Sequence, residues 1–214
     1  MRVVIAGGHG KIALRLTRLL HERGESVGSI IRTTEQEPEI TDAGGQPIVC
    51  DLEKASSQEV AQAIGPADAV VFAAGAGPGS GPERKWTVDY GAAVKLIEAA
   101  KLNSIDRYVI ISSIGADPNA TGDDDFAVYL RAKGKADEEL TQSGLAYTIV
   151  RPHGLTDDPG DGKVRIAVRM DRSKVPRDDV AAVVEAALHE PATIGKQFEV
   201  ADGNDPIARA LENL

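Results

Sequence analysis

Tyr129 and Lys133 are the residues whose types and spacing best suit proton transfer in this chain. On a helix, residues four positions apart lie on one face, so the ammonium can stand beside the phenol. A phenol with a pKa of about 10 is a weak catalyst at neutral pH, and a neighbouring cation lowers that pKa. The phenol can then protonate an alkoxide that forms during reduction, or accept the proton in reverse. The alternative is a half-buried aromatic residue with a solvated lysine, because such a pair also arises by chance.

A glycine turn follows the first apolar run of the chain, Arg2–Ala6, and leads directly into a helical pattern. Gly7 allows a tight turn, Gly10 lets the backbone approach a pyrophosphate, and Ala13 keeps the helix close to the sheet. A phosphate would then face free N–H groups at a helix N-terminus. A tight turn without a ligand is the alternative. The cofactor-binding residues predicted in this turn are Gly7, Gly8, His9, Gly10, Lys11 and Ile12.

Arg32 and Thr33 follow the second apolar run, Ser26–Ile31, and are predicted to bind the cofactor. NAD-binding folds usually carry a carboxylate here, which accepts hydrogen bonds from the ribose hydroxyls, whereas an arginine matches a 2′-phosphate. A guanidinium can hold that phosphate with two hydrogen bonds. The sequence therefore favours NADP over NAD. The alternative is an exposed arginine at the end of a strand.

Short runs rich in Val and Ile alternate with longer segments whose apolar residues recur every three or four positions. Near-continuous apolar runs are typical of parallel strands covered on both faces. Repeated strand–helix units predict an α/β fold with a doubly wound parallel sheet, the Rossmann fold. The predicted strands are Arg2–Ala6, Ser26–Ile31, Pro47–Cys50, Ala69–Ala73, Arg107–Ser112 and Ala146–Arg151. The predicted helices are Lys11–Arg23, Ser56–Ile64, Glu83–Leu102 and Asp125–Ser143.

The pattern changes after Arg151. Residues 152–163 are rich in Gly, Asp and Pro and are predicted to form a long loop. A short strand, a helix and a last strand are predicted at Val164–Val168, Arg177–His189 and Gln197–Val200. Because this segment is too short for an independent domain, we expect one NAD(P)-binding domain over residues 1–214, with residues 152–214 forming a small C-terminal cap on the substrate side.

The bulk properties argue against several classes of protein. The 214 residues suit one large α/β domain, and a net charge of −9 argues against nucleic-acid or membrane binding. The single cysteine and the scattered histidines predict no disulfide and no metal site. No apolar run is long enough for a signal peptide or a membrane span. We therefore expect a cytoplasmic protein that acts on a small molecule, as a monomer, with a homodimer as the alternative.

Several motifs resemble the atypical branch of the short-chain dehydrogenase/reductase superfamily, over almost the whole chain. The resemblance is strongest to its small members of the NAD-dependent epimerase/dehydratase type. It rests on the glycine turn and on Cys50-Asp51-Leu52, Ala73-Ala74-Gly75-Ala76-Gly77, Ile111-Ser112-Ser113, Arg151-Pro152 and Arg177-Asp178-Asp179-Val180-Ala181.

The resemblance implies that the segments after the strands surround the cofactor. Asp51 and Leu52 would flank the adenine, and Ala73–Gly75 would line the cofactor ribose. Pro152–Leu155 would approach the nicotinamide. The implied cofactor-binding residues are Asp51, Leu52, Ala73, Ala74, Gly75, Ile111, Ser112, Pro152, His153, Gly154 and Leu155.

The resemblance also implies a catalytic set of Ser113, Tyr129 and Lys133. Ser113 would donate a hydrogen bond to a substrate carbonyl, and Lys133 would also bind the nicotinamide ribose. Asp89 stands where the superfamily usually carries an asparagine. This departure puts an amide-based proton relay in doubt, and Asp89 is expected to pair with Lys133 or with its own helix.

These residues lead to one main functional hypothesis and two alternatives. The main hypothesis is an NADP(H)-dependent oxidoreductase that moves hydride to or from a small carbonyl, quinone- or flavin-like substrate. The short segment after Arg151 offers little material for a sugar-nucleotide pocket. The alternatives are an epimerase or dehydratase for a small substrate, and a non-catalytic NADP(H) redox sensor that acts through a protein partner.

Overall fold

The computed structural model describes residues 1–77 and 79–214, in which the strands form one large sheet and a small one. The strands are β1 (Arg2–Ala6), β2 (Ser26–Ile31), β3 (Gln46–Val49), β4 (Ala69–Phe72), β5 (Arg107–Ile111), β6 (Ala146–Pro152), β7 (Gly154–Thr156), β8 (Lys163–Ala167), β9 (Lys174–Pro176), β10 (Lys196–Asp202) and β11 (Asp205–Pro206). Six of them lie parallel in the order β3-β2-β1-β4-β5-β6. This order and direction are those of a Rossmann fold, which confirms the predicted fold class.

The C-terminal segment extends this sheet beyond β6. Strand β10 pairs parallel with β6, β8 pairs antiparallel with β10, and β11 pairs antiparallel with β8. Phe198 and Val200 of β10 are fully buried, so the added strand covers the edge of β6 with apolar side chains as well as hydrogen bonds. Residues 152–214 are therefore largely a continuation of the sheet. The predicted loop at 152–163 contains β7, which pairs with β9 in a separate two-stranded sheet.

Helices cover both faces of the large sheet. They are α1 (Lys11–Glu22), α2 (Glu37–Asp42), α3 (Ser57–Ile64), α4 (Pro82–Arg84), α5 (Ala93–Leu102), α6 (Asp125–Gln142), α7 (Arg177–His189) and α8 (Ile207–Glu212), with 3₁₀ turns at Thr34–Gln36 and Pro191–Thr193 and a π-helix at Lys85–Ala92. Successive strand residues point to opposite faces. Val3 and Ile5 pack with α1 and α7, whereas Val4 and Ala6 pack with α3, α5 and α6. No helix in the described part of the chain is long and apolar enough to cross a membrane.

The predicted helix Glu83–Leu102 is divided by the π-helix between α4 and α5. A π-helix has a wider turn and is often found at functional sites. Within it, Lys85 and Asp89 are both buried, although both carry charge. The other predicted elements match the structure to within two residues at either end, and the sequence missed α2, α8 and the short strands β7, β9 and β11.

Candidate functional site

A cleft of about 350 Å³ opens at the carboxyl ends of the central strands. The strand order reverses between β1 and β4, which is where doubly wound sheets bind ligands. The segments that follow β1, β2, β3 and β4 all contribute to the lining. The lining residues are Gly7, His9, Gly10, Ile30, Ile31, Arg32, Gln36, Cys50, Asp51, Leu52, Glu53, Ala73, Ala74, Gly75, Ala76, Arg84, Val88 and Ala92.

The glycine turn after β1 has no room for side chains. Gly7 has a φ of +78°, and a Cβ there would lie 2.6 Å from the Cα of Ala74. A Cβ on Gly8 would lie 2.5 Å from the Cβ of Ser29, and the Gly8 N–H donates to the Ile30 carbonyl at 2.9 Å. Gly8 therefore packs against β2, while Gly7 and Gly10 line the cleft.

Helix α1 begins at the cleft with its first amide groups unpaired. Gly10 is the N-cap in an extended conformation, and within the described residues no side chain caps the helix and no acid lies in its first turn. Free N–H groups and the positive end of the helix dipole favour an anion at this position. A dinucleotide pyrophosphate fits this end of the cleft, because it is anionic and needs the close backbone approach that the glycines allow.

Three of the residues predicted in the turn have other contacts. The Lys11 ammonium lies 2.6 Å from the Asp157 carboxylate, and His9 Nε2 lies 2.9 Å from Glu39 Oε1. Ile12 packs against the core beneath α1. Of these three, His9 lines the cleft.

Two arginines and one carboxylate lie together at the β2 end of the cleft. Arg32 is exposed, and its Nη1 lies 3.8 Å from Glu53 Oε2. Arg84 Nη2 donates to Glu53 Oε2 at 2.7 Å, and Thr87 donates to Glu53 Oε1 at 2.7 Å. The hydrogen bond from Arg84 is the main cause that lowers the pKa of Glu53. The Glu53 carboxylate is thus ionised at neutral pH, and the two guanidinium groups lie beside it in a part of the cleft that Asp51 also lines.

Thr33 is part of the turn after β2 rather than of the cleft lining. Its side chain accepts from the backbone of Gln36, and the Gln36 amide oxygen accepts from the backbone of Thr33 and of Arg32, the latter at 3.0 Å. This capping box holds the Arg32 backbone at the end of β2.

Lys133 is buried and bound on all sides by the protein. Its ammonium lies 3.3 Å from Asp89 Oδ1 and donates to the carbonyl oxygens of Ala74 at 3.3 Å and Ile111 at 3.2 Å. Burial favours the neutral amine, but the nearby carboxylates and the Tyr129 phenol outweigh it and raise the pKa of Lys133. The pairing of Asp89 with Lys133 confirms the expectation from the sequence. The ammonium thus donates to two backbone carbonyls and is paired with the Asp89 carboxylate.

Tyr129 lies one turn before Lys133 on α6 and is half-buried. Its ring stacks with Phe126 at 6.1 Å between centroids, and the Lys85 ammonium lies 5.8 Å from its ring centroid. Ser113 follows β5, and its hydroxyl donates to the Ile114 carbonyl at 3.1 Å. The phenol thus has a cation on the π-helix as well as Lys133 on its own helix.

His153 and Ser112 do not face the cleft, contrary to what the resemblance implied. His153 is buried, with Nδ1 accepting from the Ser173 N–H at 2.9 Å and Nε2 lying 3.2 Å from Glu199 Oε2. Ser112 is buried and donates to Asp137 Oδ2 at 2.7 Å. Both side chains are occupied by partners in the fold, so neither is available to the cofactor.

The remaining predicted residues divide between the cleft and the surrounding structure. Asp51, Leu52 and Ala73–Gly75 line the cleft as expected. The predicted catalytic residues Ser113, Tyr129 and Lys133 lie outside its lining. So do Ile111 at the end of β5, Pro152 at the end of β6, and Gly154 and Leu155 in β7. In the described chain, no group of three or more His, Cys, Asp or Glu side chains could hold a metal ion.

Sequence reasoning missed several lining residues, of which Glu53 and Arg84 matter most for charge. Glu53 directly follows Asp51 and Leu52, so the motif after β3 points to its neighbourhood. Arg84 carries no signal in the sequence, because only the folding of α4 onto the loop after β3 brings it to Glu53.

Comparison with known proteins supports a nucleotide-binding role for the cleft. The model of the NAD(P)H-binding family matches residues 7–191. A Bacillus subtilis protein named as an uncharacterized sugar epimerase is 37% identical, and the alignment covers 100% of both chains. A solved Bacillus halodurans structure of the NAD-dependent epimerase/dehydratase type is 38% identical, with a TM-score of 0.92 and 100% of each chain covered.

A more distant structure shares the fold alone. It is a short-chain dehydrogenase/reductase from Veillonella parvula in complex with NADP, which is 21% identical with a TM-score of 0.75 and 95% of each chain covered. The cleft at the β1–β4 switch point, the uncapped start of α1 and the family match agree with one another. The chain therefore belongs to the NAD(P)H-binding family of Rossmann-fold proteins.

Proposed function

We propose that this protein is an NADP(H)-dependent oxidoreductase that moves hydride to or from a small carbonyl, quinone- or flavin-like substrate. The observation that carries the cofactor choice is the pair of guanidinium groups, Arg32 and Arg84, around Glu53 at the end of β2. A 2′-phosphate would meet these two cations there, beside the carboxylates of Glu53 and Asp51. Arg32 also stands where NAD-binding folds place a carboxylate.

Tyr129 and Ser113 would perform the chemistry beside the nicotinamide. When bound, NADPH would supply the hydride. Tyr129 would donate a proton to the substrate oxygen, and Ser113 would donate a hydrogen bond to that oxygen. Lys133 would act mainly through Asp89 and the Ala74 carbonyl, since its buried ammonium is paired with the first and donates to the second. Phe126 is 54% exposed and stacks on Tyr129, which favours a planar aromatic acceptor.

Replacing Arg32 by alanine should weaken NADPH binding about 30-fold, because a charge-assisted hydrogen bond contributes roughly 2 kcal/mol. The Kd for NADH should change less than about threefold, since NADH lacks the 2′-phosphate. Isothermal titration with both nucleotides measures the difference. Arg209→Ala, at an exposed arginine of α8, is the matched control. Equal losses for NADPH and NADH would show that Arg32 does not bind the 2′-phosphate.

Replacing Tyr129 by phenylalanine should lower kcat about 100-fold, the lower end of what a positioned proton donor contributes. NADPH oxidation would be followed with panels of quinones, flavins, aldehydes and ketones. The Kd for NADPH should stay within about twofold of the parent value, since the hydroxyl is assigned to the substrate. Tyr147→Phe, a partly buried tyrosine of β6 that packs against the core, is the control. A variant as fast as the parent would remove Tyr129 from the mechanism.

Epimerase or dehydratase action is the alternative that the Bacillus subtilis relative's name favours. Such a reaction returns the cofactor to its starting redox state, so it produces no net oxidation of NADPH. Turnover of substrate without net NADPH oxidation would therefore replace the oxidoreductase assignment. Tight NADPH binding with no turnover in any panel would favour the sensor.

A further inference from the structure

Three buried charged side chains hold the loop that follows β4. Lys133 donates to the Ala74 carbonyl at 3.3 Å, and Asp89 Oδ2 accepts from the Ala76 N–H at 3.2 Å. The Lys85 ammonium is the third charged group, and it donates to the Gly77 carbonyl at 2.5 Å. Ala74 and Ala76 line the cleft, so these charges position the backbone of the cofactor site.

Lys85 differs from the other two because no carboxylate balances it among the described residues. It is 5% exposed, and its ammonium meets the Gly77 carbonyl, the Ser80 hydroxyl at 3.0 Å and the face of the Tyr129 ring. Burying a cation against neutral acceptors costs free energy, so stability alone gives little reason to place it there. The chain keeps an uncompensated charge beside the proposed proton donor.

The two lysines near Tyr129 therefore act differently on the phenol. The charge of Lys133 is compensated by Asp89 at 3.3 Å, and its ammonium donates to two backbone carbonyls. The ammonium of Lys85 lies 5.8 Å from the ring centroid and has no carboxylate partner among the described residues. An opposite charge within roughly 4–6 Å stabilises an ionised group. A developing phenolate on Tyr129 would thus be stabilised by Lys85 as well as by Lys133.

We propose that Lys85 is a positioning residue that couples the loop after β4 to Tyr129. It fixes the loop through Gly77 and Ser80, and it stabilises the phenolate form of Tyr129. The first role concerns cofactor binding alone, whereas the second rests on the proposed function. The π-helix makes this coupling possible, because it presents Lys85 and Asp89 together to the same loop.

Lys85→Met should weaken NADPH binding about tenfold, the result of losing one hydrogen bond to each of two loop groups. Trp86, the single tryptophan of the chain, adjoins Lys85, so its fluorescence reports the titration without any need for turnover. Lys85→Arg should restore the Kd to within about threefold, because it keeps the charge and the donors. Lys101→Met, at an exposed lysine of α5, is the matched control.

The kinetic test uses the acceptor that the parent reduces best. In Lys85→Met, the pH profile of kcat should move up by about one unit at the Tyr129 ionisation, with an unchanged KM for the acceptor. Lys85→Arg should return the profile to the parent position. A merely structural lysine would change stability without moving this profile.

Two results would overturn the proposal, and they are separable from failure of the proposed function. NADPH binding and a pH profile equal to those of the parent in Lys85→Met would remove both roles of Lys85. If no acceptor is reduced by the parent, the oxidoreductase assignment fails, while the Trp86 titration still decides the loop role. If Lys85→Met does not fold, Ser80→Ala tests the same loop contact, with an expected loss of about threefold in NADPH affinity. An unchanged affinity in Ser80→Ala would then count against the loop role.

Discussion

Gly7→Ala is expected to raise the Kd for NADPH at least about 1000-fold, which corresponds to roughly 4 kcal/mol. The new Cβ would lie 2.6 Å from the Cα of Ala74 and 2.7 Å from its nitrogen. These are backbone atoms, so either the turn after β1 or the loop after β4 must move. Both segments line the cleft, and a pyrophosphate needs close approach to the first of them.

Gly144→Ala is the matched control for this variant. Gly144 has a φ of +82°, close to the +78° of Gly7, but a Cβ there meets no atom within 4 Å. Both substitutions cost about 1 kcal/mol for a left-handed conformation, and only Gly7→Ala adds a clash. Calorimetric titration and thermal unfolding of both variants separate the two effects. Equal NADPH affinities in the two variants would show that the tight turn does not hold the cofactor.

Lys133→Met is expected to lower the free energy of unfolding by about 3–5 kcal/mol, because it leaves Asp89 as a buried, unpaired carboxylate. The partners lie 3.3 Å apart and both side chains are almost fully buried. The double variant Lys133→Met with Asp89→Asn removes both charges, while the new amide oxygen can still accept from the Ala76 N–H. It should recover most of the lost stability, giving a coupling energy of roughly 2 kcal/mol.

Urea unfolding of the parent, both single variants and the double variant measures this coupling. Additive effects of the two substitutions would show that the ion pair is not coupled. A fully stable Lys133→Met that still binds NADPH but has lost turnover would assign the lysine to the chemistry. If Lys133 mainly holds the fold, Lys133→Met should instead lose stability and disturb the loop after β4.

Much of the fold follows from local patterns. The strands β1 and β2 and the helix α7 begin and end where the sequence predicts, because each has an apolar pattern that is buried along its whole length. The edge of the sheet was harder to predict. Strand β10 joins it through long-range pairing with β6, and β8 joins it through pairing with β10. A short apolar run does not reveal its partner.

The residues of the site also divide into those that local sequence predicts and those whose contacts depend on the tertiary structure. The glycine turn and Arg32 were found from the sequence, because each acts through its position directly after a strand, which the backbone alone determines. His153, Ser112 and Lys133 were assigned by motif, but their side chains are engaged by Glu199, Asp137 and Asp89. Those partners lie 46, 25 and 44 residues away along the chain, on other elements of the fold, so no local pattern in the sequence indicates them.

The sequence by itself therefore determined a dinucleotide-binding Rossmann domain, through the order of its strands and the turn at Gly7–Gly10. Only the tertiary structure decided which charged groups serve the cleft and which hold the fold. Arg84 reaches Glu53, and Lys85 reaches the Gly77 carbonyl, because the π-helix and α4 pack over the loops after β3 and β4. Hydrogen bonds and ion pairs depend on distances between side chains, and these distances exist only once the helices have packed on the sheet.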